Sequence, residues 1–348
     1  GHTAIYDPVR DRMVVFGGYG ASSLNDVWAL SLAGSPTWTQ LTPTGTPPSA
    51  RSWPTAMYDP VRDRIVVFGG YSTFELNDLW ELSLAGGPAW THLTPAGTPP
   101  SARYSHTAIC DPVSDRMVVY GGYGPSQFND VRVLSLGGGL AWTGLTPAWP
   151  SARDGHTAIY DPVRDRTLVF GGTNYSPVIP YNDVWGLSVV GGPAWTGLTP
   201  AGAPPSARNS HTAIYDSARD RMVVFGGLGL NNLIFINFND LWALSLAGSP
   251  TWTQLTPAGT PPSARFGHSA IYDPVRDRML LFVVYTGIMI NEVWALSLSG
   301  SPTWTRLTPA GTPPSARYAP TAIYDLVRDR MVVFGGYGAS ALNDVWAL

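Results

Sequence analysis

The sequence predicts an all-β, seven-bladed β-propeller, and three observations carry that expectation. A module of about fifty residues recurs seven times, each module reads as four short antiparallel strands, and none of it has a helical period. The phrase His-Thr-Ala-Ile-Tyr-Asp at 2–7 returns with small changes, its Asp falling at Asp7, Asp59, Asp111, Asp161, Asp216, Asp273 and Asp325. The spacings are 52, 52, 50, 55, 57 and 52 residues. One propeller over residues 1–348 is expected, with repeats starting near 1, 49, 101, 151, 206, 263 and 315.

The second copy shows the elements in order. Thr55–Asp59 is the first strand, and Pro60-Val-Arg-Asp63 is a turn, because Pro presets φ and Asp binds nearby backbone N–H groups. Arg64–Phe68 is a β-branched run too short for a helix. Gly69-Gly70 ends it, where the backbone needs positive φ or a close approach. Leu79–Leu84 alternates large with small or polar residues as a third strand, and Gly86-Gly87-Pro88 turns the chain into a fourth, Trp90–Leu93. A Pro-rich connection then leads to Ser101-Ala-Arg103 and the next copy. Second strands that are apolar on both faces suit blades packed between two others.

Gly-Gly after Val-Val-Phe, Asn-Asp-Val-Trp after a loop, and Trp before Leu together resemble the kelch repeat, over the whole chain. The resemblance is to bacterial-type kelch chains and to the central propeller of galactose oxidase, and it implies seven blades. Departures are local: Val283-Val284 replaces Gly-Gly, Arg132 replaces Trp, and Glu292 replaces Asp. The Trp-Thr-x-Leu strand occurs six times, so the last blade is expected to lack its outer strand. That strand lies upstream in a longer parent chain, or another molecule supplies it at an open edge, allowing self-association.

Composition narrows the partners. The 21 basic residues are all Arg, against 24 acidic ones, for a net charge of −3. This balance gives no electrostatic footprint for nucleic acid or anionic membranes. No apolar run approaches the ~18 residues of a membrane span. The lone Cys110 excludes an internal disulfide and multi-Cys metal sites. A Lys-free, Trp-rich chain of this kind is favoured outside a cell or on its surface over the cytoplasm.

The seven copies also compare with one another. The turns Asp-Pro-Val-Arg-Asp-Arg and Leu-Ala-Gly-Ser-Pro are nearly constant, and in an antiparallel blade both emerge at one end. At the other end the loops between strands two and three are 6, 6, 6, 9, 11, 6 and 6 residues long. The residues after each Ser-Ala-Arg vary as well. The expected ligand-binding residues on this variable side are Trp53, Tyr104, Trp149, Asp154, Tyr175, Tyr181, Asn209, Asn232, Phe235, Phe266 and Tyr318. A constant scaffold presenting variable loops rich in Tyr, Asn and Trp is a recognition device.

Repeated polar residues read as structure. His2, His106, His156, His211 and His268 occupy one position on different blades, too far apart to share a metal at ~2 Å, so no metal and no cofactor are expected. The recurrent Arg51, Arg103, Arg153, Arg208, Arg265 and Arg317 would tie the interblade segments to carbonyls, and the Asp after each Asn would cap a turn. No Gly-x-Ser-x-Gly or phosphate-binding loop is present. Asp154 with His156, near Trp149, is the one non-repeated polar–aromatic cluster. The favoured function is non-enzymatic recognition of a protein, peptide or glycan. Two others stay open: a structural or assembly role through the open blade edge, and a kelch-type enzyme (lyase, isomerase or metal oxidase).

Overall fold

The computed structural model describes residues 1–111, 114–145, 149–175, 178–188, 193–231, 234–285, 289–309, 314–315, 317, 320–325, 327–337 and 340–347. The fold is all-β and of the seven-bladed propeller class, and no helix occurs among the described residues. Six four-stranded antiparallel blades span 3–41, 55–93, 107–145, 157–198, 212–255 and 269–307, and a three-stranded seventh spans 321–347. The chain packs as two compact units. Residues 1–154 hold blades one to three, and residues 155–188 with 194–348 hold blades four to seven.

Why the second strands are apolar throughout is visible in the first unit. Val14 and Phe16 of blade one pack with Ile65, Val67, Leu82 and Trp90 of blade two. The alternate residues Val66 and Phe68 pack the other way, with Met117, Val119, Leu134 and Trp142 of blade three. A period of two on a strand covered on both sides favours apolar side chains at every inner position, with Thr167 of blade four the polar exception among the described residues. The second unit repeats this, with Leu168 and Phe170 against Met222, Val224 and Trp252, then Val223 and Phe225 against Met279, Leu281 and Trp304. Phe16, Phe68, Phe170 and Phe225 each meet the fourth-strand Trp of the next blade, as in Phe68–Trp142 at 5.5 Å and Phe225–Trp304 at 5.1 Å between centroids.

Two expectations change. The Gly pair does not end the second strand in blade two, which runs Arg64–Tyr71 with a bulge between Phe68 and Gly70. At φ 106°, a Cβ on Gly70 would stand 2.9 Å from the Ser52 carbonyl oxygen, so glycine belongs there. In blade six, where Val283-Val284 stands instead, the irregularity moves to between Val283 and Tyr285. The long loop of blade four also carries a hairpin of its own, Thr173–Tyr175 paired with Val178–Pro180, beyond the expected blade strands.

The constant end of each blade is constant for reasons of bonding. Asp59 accepts the N–H groups of Val61 and Arg62, at 3.1 and 3.2 Å, and the Arg64 Nε–H at 2.8 Å. Arg62 then reaches forward to Asp115 of blade three at 2.9 Å, as Arg10 does to Asp63 of blade two. Arg164–Asp220 and Arg219–Asp277 repeat the link in the second unit. A turn that carries this Arg therefore caps itself and, within its unit, grips the next blade; in blade three Ser114 stands in its place.

The recurrent Asn-Asp does more than cap a turn, which corrects that expectation. Asn25 Nδ2 donates to the Pro48 carbonyl at 3.1 Å, holding the Pro-rich connection. Asp78 receives the Arg51 guanidinium on both oxygens, at 2.6 and 2.8 Å, and the Trp80 indole N–H at 2.6 Å. Arg103 meets Asp130 in the same two-bond geometry, donates to the Gly121 carbonyl at 3.0 Å, and lies 4.1 Å from the Phe128 ring centroid.

Blade six alters this clasp. Glu292 stands 3.6 Å from Arg265, whose Nη1 has no partner among the described residues, and burial lowers that guanidinium to a pKa of about 10. The chain's own Asp-bearing blades supply the remedy. Glu292→Asp is expected to raise stability by about 1 kcal/mol, read as a higher thermal midpoint; a lower midpoint would show that the longer side chain is the better fit.

Candidate ligand-recognition site

In three blades the residue after the buried Arg pairs its backbone with the strand beside it. Ser52 and Tyr71 exchange N–H···O bonds of 2.8 and 2.7 Å, Tyr104 and Tyr123 exchange two of 2.9 Å, and Asn209 and Leu228 two of 2.8 Å. The next residue turns left-handed: Trp53 at φ 51°, Ser105 at 52°, Gly155 at 61°, Ser210 at 51° and Gly267 at 64°. Gly and Ser suit that conformation, whereas a bulky Trp there costs about 1 kcal/mol or more. Trp53 is nonetheless 48% exposed, its N–H bonded to the Gly1 carbonyl at 2.5 Å.

In the first unit this geometry gathers aromatic rings. Tyr104 lies 5.8 Å from Trp53, 5.4 Å from Tyr71 and 5.7 Å from Tyr123 between centroids. Burial, followed by Tyr123, Glu75, Asp154 and Tyr71, raises the Tyr104 phenol above its ordinary pKa. Asp154 accepts a hydrogen bond from Gln127 rather than answering His156. Burial pushes its carboxyl up to about 6, against the opposing pull of Gln127 and its own backbone N–H. Its Oδ1 is buried without a partner among the described residues. Trp149 is 62% exposed beside Pro150.

The second unit is arranged differently. Tyr175 sits exposed on the hairpin of blade four, and Phe235 is 56% exposed near the tip of the long blade-five hairpin formed by Arg221–Asn231 and Ile234–Ser245. Tyr181 is half-buried and offers its carbonyl to the Arg208 N–H at 3.0 Å. Asn209 is buried and donates to Thr173 Oγ1 at 2.6 Å. Phe266 is half-buried. Asn232 and Tyr318 lie outside the described residues.

Sequence reasoning missed Tyr71, Tyr123 and Gln127. Tyr follows Gly-Gly in blades one to three, so these residues look like part of the constant frame, and only the strand register shows which variable residue each one meets. It also passed over the valines of the constant turns, where Val9, Val61, Val163, Val275 and Val327 are 65–71% exposed.

The repeated histidines act between blades. His106 Nε2 lies 2.6 Å from Thr55 Oγ1, His211 Nε2 2.7 Å from Thr157 Oγ1, and His268 Nε2 2.8 Å from Thr212 Oγ1. Among the described residues no group of three or more His, Cys, Asp or Glu could hold a metal. Burial pushes the Cys110 thiol up to about 11. No helix of the described residues is long and apolar enough to cross a membrane.

The KLHDC2/KLHL20/DRC7 Kelch-repeats domain model matches residues 1–148, 86–282 and 141–336. The chain belongs to the kelch-repeat family. Among curated kelch relatives, the Leucine-zipper-like transcriptional regulator 1 homolog of Drosophila melanogaster is 31% identical over 41% of this chain. The flagellar outer-arm dynein alpha chain of Chlamydomonas reinhardtii is 32% identical over 44%, and the serine/threonine-protein phosphatase BSL2 of Arabidopsis thaliana 33% identical over 36%. The matched regions span only 14%, 3% and 12% of those proteins. All three are eukaryotic, so the expected bacterial type finds no support in them. The solved structure of YjhT matches 88% of this kelch chain and 96% of its own, with a TM-score of 0.56 and 14% identity, a likeness of fold.

Proposed function

We propose that this kelch chain is a non-enzymatic recognition propeller over residues 1–348, taking a protein or peptide on the side carrying the variable loops. One observation carries the reading. The end of each blade that repeats is tied down by Asp–Arg bonds, while the end that varies presents side chains that the fold does not use, among them a Trp in a left-handed conformation. An exposed Trp at such a position costs stability, and binding is the gain that offsets it.

Surface display of a random peptide library on the immobilised protein tests this. Selected peptides should lose at least about tenfold in affinity on Trp53→Ala and on Tyr104→Ala, the scale of an aromatic hot spot. The thermal midpoint should stay within a few degrees of the parent. Peptides that bind both variants as tightly as the parent would place recognition elsewhere, and peptides that answer instead to Val61→Asp would move it to the repeating turns.

A further inference from the structure

We infer that the cluster of Trp53, Tyr71, Tyr104 and Tyr123, with the Asp154 carboxylate beside it, is a subsite for the guanidinium group of an arginine in a peptide ligand. The inference rests on the recognition reading above and names the chemistry of one of its pockets.

The rings come first. Tyr104 stands at the centre of three aromatic neighbours, all within 6 Å between centroids. Trp53 forms the exposed wall. Aromatic faces carry negative potential and attract cations placed over them, Trp most strongly. The charges agree with the rings. Glu75 and Asp154 both act on Tyr104, and Asp154 makes no ion pair among the described residues. The cations nearest in sequence are already taken up: Arg103 is fully buried on Asp130, and Arg153 is fully buried with its Nε donating to the Ser151 carbonyl at 3.0 Å.

The same chain shows what fills such a place. Arg103 lies over the Phe128 ring with Asp130 gripping it, and Arg208 lies 4.3 Å from the Phe238 centroid with Asp240 gripping it. Each of these is a ring, a carboxylate and a guanidinium. Around Tyr104 the ring and the carboxylate are present, and no guanidinium is supplied among the described residues. A planar guanidinium stacks on a ring while donating to a carboxylate, which a compact ammonium cannot do as well. Free arginine and a peptide arginine share this chemistry, and the test separates them.

The probe is the capped tripeptide acetyl-Gly-Arg-Gly-amide, titrated calorimetrically against the whole protein beside its citrulline counterpart, which keeps the shape and loses the charge. The arginine peptide should bind at least tenfold more tightly than the citrulline peptide and more tightly than free arginine. Asp154→Asn should reduce that preference to threefold or less, with most of the loss falling on the arginine peptide, and Tyr104→Phe should keep it. Equal affinity for the two peptides, or no binding of the arginine peptide, overturns the inference. If library peptides still depend on Trp53 in that case, the recognition reading survives without the cation subsite. If they do not, both fall.

Discussion

Arg103→Met is expected to cost about 3–5 kcal/mol of folding free energy. The side chain is fully buried and makes four bonds: two to Asp130, one to the Gly121 carbonyl and one to the Ser101 carbonyl. Methionine fills most of the volume and answers none of these groups. Asp130 is then left almost buried, with only the Arg132 Nε at 3.3 Å as a cationic partner. A buried carboxylate stripped of its main partner accounts for most of the penalty, so the partner variant is the informative control. Adding Asp130→Leu to Arg103→Met should recover more than half of the loss, since the stranded charge disappears with it. Urea unfolding measures both. A single-variant cost below about 1 kcal/mol would mean that the clasp only orients the interblade segment and does not hold it.

The second large effect is acid sensitivity above the range of ordinary carboxylates. Burial, and then Arg265, depress the His268 pKa to about 3, and His211 shifts in the same direction. In the unfolded chain histidine titrates near 6.5. Below that pH the unfolded state binds a proton that the native state refuses, so stability is lost as pH falls from about 6.5 toward 3. Linkage gives roughly 3 kcal/mol for His268 alone at pH 4. The carboxylates held by Arg, such as Asp78 and Asp240, have lowered values and lose their contribution only at more acid pH. Urea midpoints should therefore fall between pH 6.5 and 4, mostly above the range in which the Arg-held carboxylates lose their contribution, while Asp154, raised to about 6, gains stability over the same window and offsets part of the fall. His268→Gln, which keeps a hydrogen-bonding group toward Thr212, should flatten that slope; an unchanged slope would show that His268 protonates as readily folded as unfolded.

The fold was legible in the sequence because it is written seven times. Blade count, strand order and the short seventh blade follow from period and pattern, since a module this short buries its apolar strands only against copies of itself. What pattern could not show was partnership across blades. Asp78 looks like a cap until the fold places Arg51 on it from the preceding connection, and Arg62 looks like a solvated turn residue until it meets Asp115. The candidate site divides in the same way. Trp53, Tyr104 and Asp154 were found because they differ between copies. Tyr71 and Tyr123 were hidden because tyrosine recurs after the glycines, and Gln127 carries no pattern at all. Asn209 varied too, yet it is buried and spends its amide on Thr173, and Tyr181 is half-buried with its main-chain carbonyl on the Arg208 N–H. Variation marks where the fold is permissive, not which side chains face outward.

That permissiveness has a mechanical origin at the position filled by Ser52, Tyr104 and Asn209. Two main-chain bonds fasten it to the strand beside it whichever side chain stands there, and the side chain adds its own bond where it can, as Asn209 does to Thr173. Successive blades offer the same socket with different contents, much as a keyboard carries different letters on identical keys. On the recognition reading proposed above, lineages of such a chain rewrite their specificity one key at a time, and thermal robustness need not be traded away at each step.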